Sequence, residues 1–442
     1  MLQTIRNAWK IEELRGKMIF TLLILVIFRL GNAVPVPYVD TTAMTDWFGN
    51  MQGTILGLFN TMSGGGLETA SLFALSIQPY ITSSIVMQLL CVAIPALERL
   101  QKEGGEDGKK LINKITRYGT VGLGLVMGFA YYLMMRNGGI LSAGAEGFWP
   151  GLIIVLSFTA GSALVMWLGE QITEFGIGNG ISIILFAGIV SRFPIAIVGM
   201  INGVRMPAGM EGAIPWWIIP LVLIGALALL VLIVVIQNAE RKIPVQYAKR
   251  VVGRKMYGGQ STHLPIKLSM TGVLPIIFAQ ALASLPATIA VFAGVDPTNE
   301  EATGFLAGMA GFFDPAGAPY LIIYILLIVF FSYFYAQIQF NPIEISNNLK
   351  KNGGYIPGFR PGKPTQEHIS KVLGKITLFG AVYLAVVAGL PILVGIFSEA
   401  AQRTGVALGG TSVIIAVGVA LETVKSLENQ MLMRHYKGFL DQ

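Results

Sequence analysis

The sequence predicts an all-α polytopic membrane protein with ten transmembrane helices in two inverted five-helix halves and one re-entrant half-helix. Three observations predict it. Of 442 residues, 54% are hydrophobic and 12% charged, where ordinary soluble domains carry about 25% charge. Ten apolar runs are long enough to cross about 30 Å of hydrocarbon. Sorted by the resulting topology, 25 of the 31 Lys and Arg fall on one side of the membrane, the side that stays in the cytoplasm. The mean hydropathy of +0.66 agrees.

The ten runs lie near residues 18–36, 76–97, 116–135, 149–169, 180–201, 215–237, 268–293, 319–340, 374–396 and 408–425. An even number of spans returns both termini to one side, and the charge bias makes that side cytoplasmic. The amphipathic WKIEELRGK precedes a first span that is too long and too poorly terminated for a cleaved signal peptide, so that span is expected to be retained. A glycine content of 53 residues suits close packing of helices in lipid. The single Cys91 and three histidines leave no basis for an intrachain disulfide or a cysteine-built metal site.

The loop 202–214 divides the spans into five (1–201) and five (215–442), and an odd number per half inverts the second against the first. Such folds mark their working site by Gly/Pro-interrupted segments at corresponding positions. The run 59–75, FNTMSGGGLETASLFAL, holds Gly64, Gly65, Gly66 and Glu68 and is too short to span. It reads as a half-length helix entering from outside and stopping at Pro79. The seventh span carries Gly272, Pro275 and Pro286. A surface helix followed by a Pro-kinked span is the other reading of the same residues.

The middles of the spans are expected to lack ionisable groups. Arg29 and Arg192 are assigned to outer ends, where their side chains can snorkel to the interface. A proton- or sodium-coupled transporter needs buried ionisable groups, so an inverted-repeat secondary transporter of small solutes is the alternative function rather than the leading one. GKPT at 362–365 and GIGNG at 176–180 lack the spacing of phosphate loops, and neither HExxH nor GxSxG occurs. No enzymatic activity, cofactor or metal is expected.

Two cytoplasmic loops exceed what a connection needs. In 238–267, KIPVQYAKR and KMYGGQSTHLPI flank Gly253 and predict a protruding basic hairpin. In 341–373, Asn341 is the expected N-cap of a helix with Pro342 first, Glu344 third, Lys350 and Lys351 in the last turn and Gly353 beyond it. A stiff YIPGFRPGKPT turn then leads to Thr365, the expected N-cap of the ninth span. Charge alone reads as topology, but the shape of both loops suits a large anionic partner.

FNTMSGGG (59–66), IQPYITSSIVMQLL (77–90), EGGEDGKK (103–110), RYGT (117–120), WLGEQITEFGIGNGISIILFAGIV (167–190), STHLPIKLSMTGVLPIIFA (261–279), NPIEISNNLKKNGGYIPGFRPGKPT (341–365) and GGTS (409–412) together resemble the bacterial SecY family, from the first span to the last. The resemblance implies a passive channel that passes unfolded secretory proteins and releases membrane segments sideways into lipid. It implies a pore ring of Ile77, Ile81, Ile181, Leu185, Ile277 and Ile415, with Leu185 where Ile is more usual. The segment 59–75, with Ser63, Gly64, Gly65, Gly66 and Glu68, becomes a plug, and the second and seventh spans become a lateral gate with Gln88, Ser269 and Pro275. Arg254, Lys255 and Arg360 become the docking residues for a SecA motor ATPase or a ribosome, whose rRNA would meet these loops. Lys255 stands where some relatives have Arg, which keeps the charge and loses the bidentate fork, and Phe175 stands where Arg is common. SecE-like and SecG-like small membrane subunits, preproteins with signal sequences and membrane lipid complete the implied partners, in the cytoplasmic membrane of a bacterium.

Overall fold

Helices occupy each of the ten predicted spans. The structure is a computed structural model and describes residues 2–49, 55–142, 144–145, 147–205, 215–247, 250–252, 255–257, 261–268, 272–292, 304–314, 317–397 and 406–437. After α1 (Leu2–Trp9), α2 (Glu12–Gly31) begins earlier than the apolar run because Glu12 and Glu13 suit its positive N-terminal end. Between the first and second spans lie α3 (Thr41–Gly49) and α4 (Ile55–Ser63). Asp40 caps α3: hydrogen bonds from the Thr42 hydroxyl and the Ala43 and Thr42 amides hold its carboxyl below the usual range.

The second span is bent. α5 (Gln78–Ala93) turns by 105° into α6 (Pro95–Glu103). Pro95 imposes the break by holding Ile94 in an extended conformation. Then follow α7 (Gly105–Asn137), α8 (Phe148–Phe175) and α9 (Gly180–Arg205). The GIGNG connection serves geometry: Asn179 Oδ1 accepts from the amides of Ile181 and Ser182 and so caps α9.

The second half contains α10 (Ile218–Asn238), α11 (Leu274–Phe292), α12 (Phe305–Phe312), α13 (Ala318–Gln339), α14 (Pro342–Lys351), α15 (Lys363–Phe397) and α16 (Val406–Lys437). Among the described residues, α7, α8, α9, α10, α13 and α15 are each long and apolar enough to cross a membrane, and the bent α5–α6 pair makes a seventh. The other three predicted spans coincide with α2, α11 and α16.

α7 lies between α5 and α8, and α8 also meets α2 and α9. In the second half α13 lies between α11 and α15, and α16 meets α15 and α10. The halves join along α9 and α16 on one side and along α11 with α5 and α7 on the other. One apolar core unites Ile81 and Leu185 of the first half with Ile277, Phe331 and Ile415 of the second. A second core, with Leu56, Leu67, Tyr131 and Phe158, lies under α4.

The basic hairpin forms as predicted. Strand β1 (Glu240–Tyr247) pairs antiparallel with β4 (Ser261–Lys267), and within the loop β2 (Arg250–Val252) pairs with β3 (Lys255–Tyr257). A two-residue strand β5 (Gly354–Tyr355), which the sequence does not announce, adds to the other edge of β1. It joins the two long basic loops into one platform over a core of Ile243, Val245, Ile266, Leu349, Ile356 and Ile369. Asn341 caps α14 as expected, accepting from the Ile343 amide at 3.1 Å. Thr365 is not an N-cap. α15 already starts at Lys363, and the Thr365 hydroxyl donates back to the Arg360 carbonyl at 2.8 Å. The left-handed Gly362 (φ 103°) makes the entry instead.

Candidate channel waist, plug and gate

The waist is built where four helices approach between the halves. Ile77 and Ile81 stand at the start of α5, Ile181 and Leu185 in the first turns of α9, Ile277 in the first turn of α11 and Ile415 in α16. Five are buried and Ile181 is half-buried, and all six belong to or pack against one apolar core. Two cavities flank this cluster. One of about 130 Å³ is lined by Leu185 and Ile277 together with Gln237, Lys267 and Glu422. A smaller one of about 20 Å³ is lined by Leu185, Ile77, Phe59, Met62 and Tyr131. Leu185 lines both, so the side chain shared by the mixed larger cavity and the apolar smaller one is aliphatic. An aliphatic lining resists hydration and yields without breaking directional bonds.

The candidate plug, residues 59–75, departs from its predicted shape. Its helix, α4, spans Ile55–Ser63, and residues 64–77 form a chain of turns rather than a helix running to Pro79. The glycines cause this: Gly64 and Gly65 adopt φ of 74° and 92°, which ends the helix. Glu68 therefore sits in the turns.

Polar groups of the first half hold that irregular chain. The Arg29 Nη1 donates to the Gly64 carbonyl at 2.8 Å, Asn32 to the Ser63 carbonyl at 2.8 Å, and the Tyr131 hydroxyl to the Leu67 carbonyl at 2.6 Å. The backbone adds Leu72 N to Val34 O and Val36 N to Ala70 O. Glu68 Oε2 takes the Arg192 Nη2 at 2.7 Å and the Asn60 side-chain amide at 2.9 Å, while its own amide donates to Asn60 Oδ1. These bonds satisfy buried backbone groups that no helix or sheet supplies. Gly188 allows the approach, since any side chain there would meet the Met62 carbonyl.

This corrects the reading of Arg192 as a snorkelling side chain at an outer end: it lies in the middle of α9 and pairs with Glu68. Arg29 stands exposed in the last turn of α2, as its placement at a span end requires, and also donates to the Gly64 carbonyl. An arginine inside an otherwise apolar run was the available signal, because such a charge is costly without a partner. Asn32, Asn60 and Tyr131 gave no comparable signal.

At the gate, Gln88 is half-buried on α5. It accepts from the Tyr335 hydroxyl of α13 and donates to Ser84. Tyr335 in turn packs against Phe278 of α11, ring centroids 5.0 Å apart. The polar contact of the seam thus crosses to α13 rather than to α11. Pro275 is buried in the first turn of α11, where its missing N–H costs nothing. Ser269 and Arg254 lie outside the described residues. Lys255 pairs with Val252 in the β2–β3 ladder, and Arg360 is exposed beside the stacked Phe359 and His368 rings. Among the described residues no group of His, Cys, Asp and Glu could hold a metal ion.

Residues 71–424 match the SecY family profile. Over its full length the chain is 42% identical to the protein translocase subunit SecY of Thermotoga maritima, covering 98% of that protein. It is 43% identical to SecY of Halalkalibacterium halodurans, covering all of it. Among solved structures, one of a protein-conducting channel superposes with a TM-score of 0.62, covering 95% of this chain and 93% of that one. Sec61 in a canine ribosome-channel complex gives the same TM-score. Both are 17% identical, so they speak to the fold. The family sets aside the small-solute transporter, and the chain belongs to the SecY family, the non-enzymatic protein-conducting channel subunit of the Sec translocon.

Proposed function

We propose that this channel passes unfolded secretory proteins through the aliphatic waist and releases membrane segments sideways between α5 and the α11–α13 pair. The observation that carries the reading is the meeting of two cavities at Leu185, with an irregular plug closing the smaller one. Ile77, Ile81, Ile181, Leu185, Ile277 and Ile415 act as the gasket, and Gln88 as the polar contact that weakens the seam enough for a signal sequence to compete. Ser269 and Pro275 belong to the same gate.

The platform formed by the hairpin and α14 suits a large anionic or motor partner. Arg254, Lys255 and Arg360 dock a SecA ATPase or the ribosome, which supply the energy that a passive pore lacks. The lipid-facing helices take SecE-like and SecG-like subunits, in a bacterial cytoplasmic membrane with both termini inside and the two five-helix halves inverted. Reconstitution with SecA, ATP and partner subunits tests this: a secretory preprotein should become protease-protected with wild type, and protection should fall at least tenfold with Arg360→Glu. An absence of protection with wild type, in vesicles where another translocon works, would refute the reading.

A further inference from the structure

The plug touches the two halves by different chemistry. The polar ties described above, from Arg29, Asn32, Tyr131 and Arg192, all come from the first half. So does the backbone pairing of Pro35 with Ser71. Toward the second half, among the described residues, Met62 of α4 shares an apolar core with Ile277 and Ala283 of α11. The one polar contact named there is weak: Gln280 Nε2 donates to Met62 Sδ at 4.0 Å, and the Gln280 carbonyl oxygen stays buried without a hydrogen bond. One side is a set of directional bonds closed by an ion pair. The other is a seam that exchanges little when it parts.

We propose that the Glu68–Arg192 pair latches the plug to the first half, so that the outer seal opens along its apolar seam with α11 and the plug stays with the first half. Arg192 is then a positioning residue: it acts on the passing chain only through where it holds Glu68. The pair is partly shielded, with side-chain exposures of 22% for Glu68 and 21% for Arg192. Asn60 also orients the carboxylate, so the attraction is not spent on ordering two free side chains. Loss of the Glu68 charge leaves a guanidinium within an apolar helix with no anion beside it, which favours any plug position that lets Arg192 reach water.

The inference rests on the plug reading, and the test separates the two. Ion flux is measured through proteoliposomes holding the channel with its partner subunits but no motor. Glu68→Gln should raise the idle flux about tenfold, equivalent to about 1.4 kcal/mol. The exchange Glu68→Arg with Arg192→Glu should return it to within about twofold of wild type, a rescue that mere packing would not give. Deleting residues 60–75 should leak whatever the latch does.

A wild-type flux in Glu68→Gln beside a leaking deletion would overturn the latch and leave the plug standing. A silent deletion would overturn the plug itself. Retained motor-driven translocation in Glu68→Gln shows that the channel has folded. A disulfide between Asn32→Cys and Ser71→Cys, whose native side chains meet at 3.4 Å, ties the plug to the first half. Translocation should continue within about twofold of the reduced form, and a block would overturn carriage by that half.

Discussion

The plug and the cytoplasmic platform are both long excursions between transmembrane helices, yet they are held by opposite means. The plug past Ser63 has almost no regular structure, and its carbonyls are satisfied one at a time by Arg29, Asn32 and Tyr131. The platform uses a continuous β1–β4 ladder, an added β5 strand and its own aliphatic core. Hydrogen bonds to single side chains can be replaced by water at little net cost, since a typical one contributes only about 0.5–1.5 kcal/mol. A ladder over a packed core cannot be exchanged piecemeal. The difference is one of exchange: the ties of residues 63–68 can be remade one at a time, whereas the platform's ladder and core give way only together.

The comparison breaks most visibly if the platform's core proves dispensable. Ile266 is fully buried there, and Ile266→Ala should cost about 2–5 kcal/mol locally. The expected readout is faster proteolysis of loops 238–267 and 341–373 and loss of motor-dependent protection, with the idle ion flux unchanged. If flux rose instead, platform and plug would not be mechanically separate.

A second substitution addresses the plug. Tyr131→Phe removes the donor to the Leu67 carbonyl and leaves that oxygen unpaired, worth about 1–3 kcal/mol. Idle flux should rise severalfold while the platform's protease resistance stays at its wild-type level. The smallest expected effect sharpens the platform side. Asn341→Ala removes the cap of α14 and should cost about 1 kcal/mol. A modest drop in affinity for SecA should follow, and Asn341→Asp, which can still cap, should restore it.

Much of this was legible from local signals. The hairpin followed from two β-rich runs about Gly253, and α14 from Asn341, Pro342 and Glu344 at their capping positions, because each signal and the structure it encodes lie within a few residues. Thr365 shows the limit of the same logic. A threonine before a helical run has the right chemistry for a cap, but Pro364 already fits the first turn of a helix, and the chain enters one turn's start earlier, at Gly362. The pairing of Gly354 and Tyr355 with β1 was illegible because two residues carry no periodicity.

By itself the sequence determined that this is a helical membrane protein of ten apolar segments with 25 of its 31 Lys and Arg gathered at the termini and in alternate loops, for hydropathy and charge act on each segment independently of its neighbours. Only the tertiary structure decided that Leu185 lines both cavities and that Arg29 and Arg192 bond the Gly64 carbonyl and Glu68. The two arginine contacts join groups 35 and 124 residues apart along the chain. A charge or carbonyl buried in an apolar fold takes whatever partner packing brings within reach, and sequence distance says nothing of that.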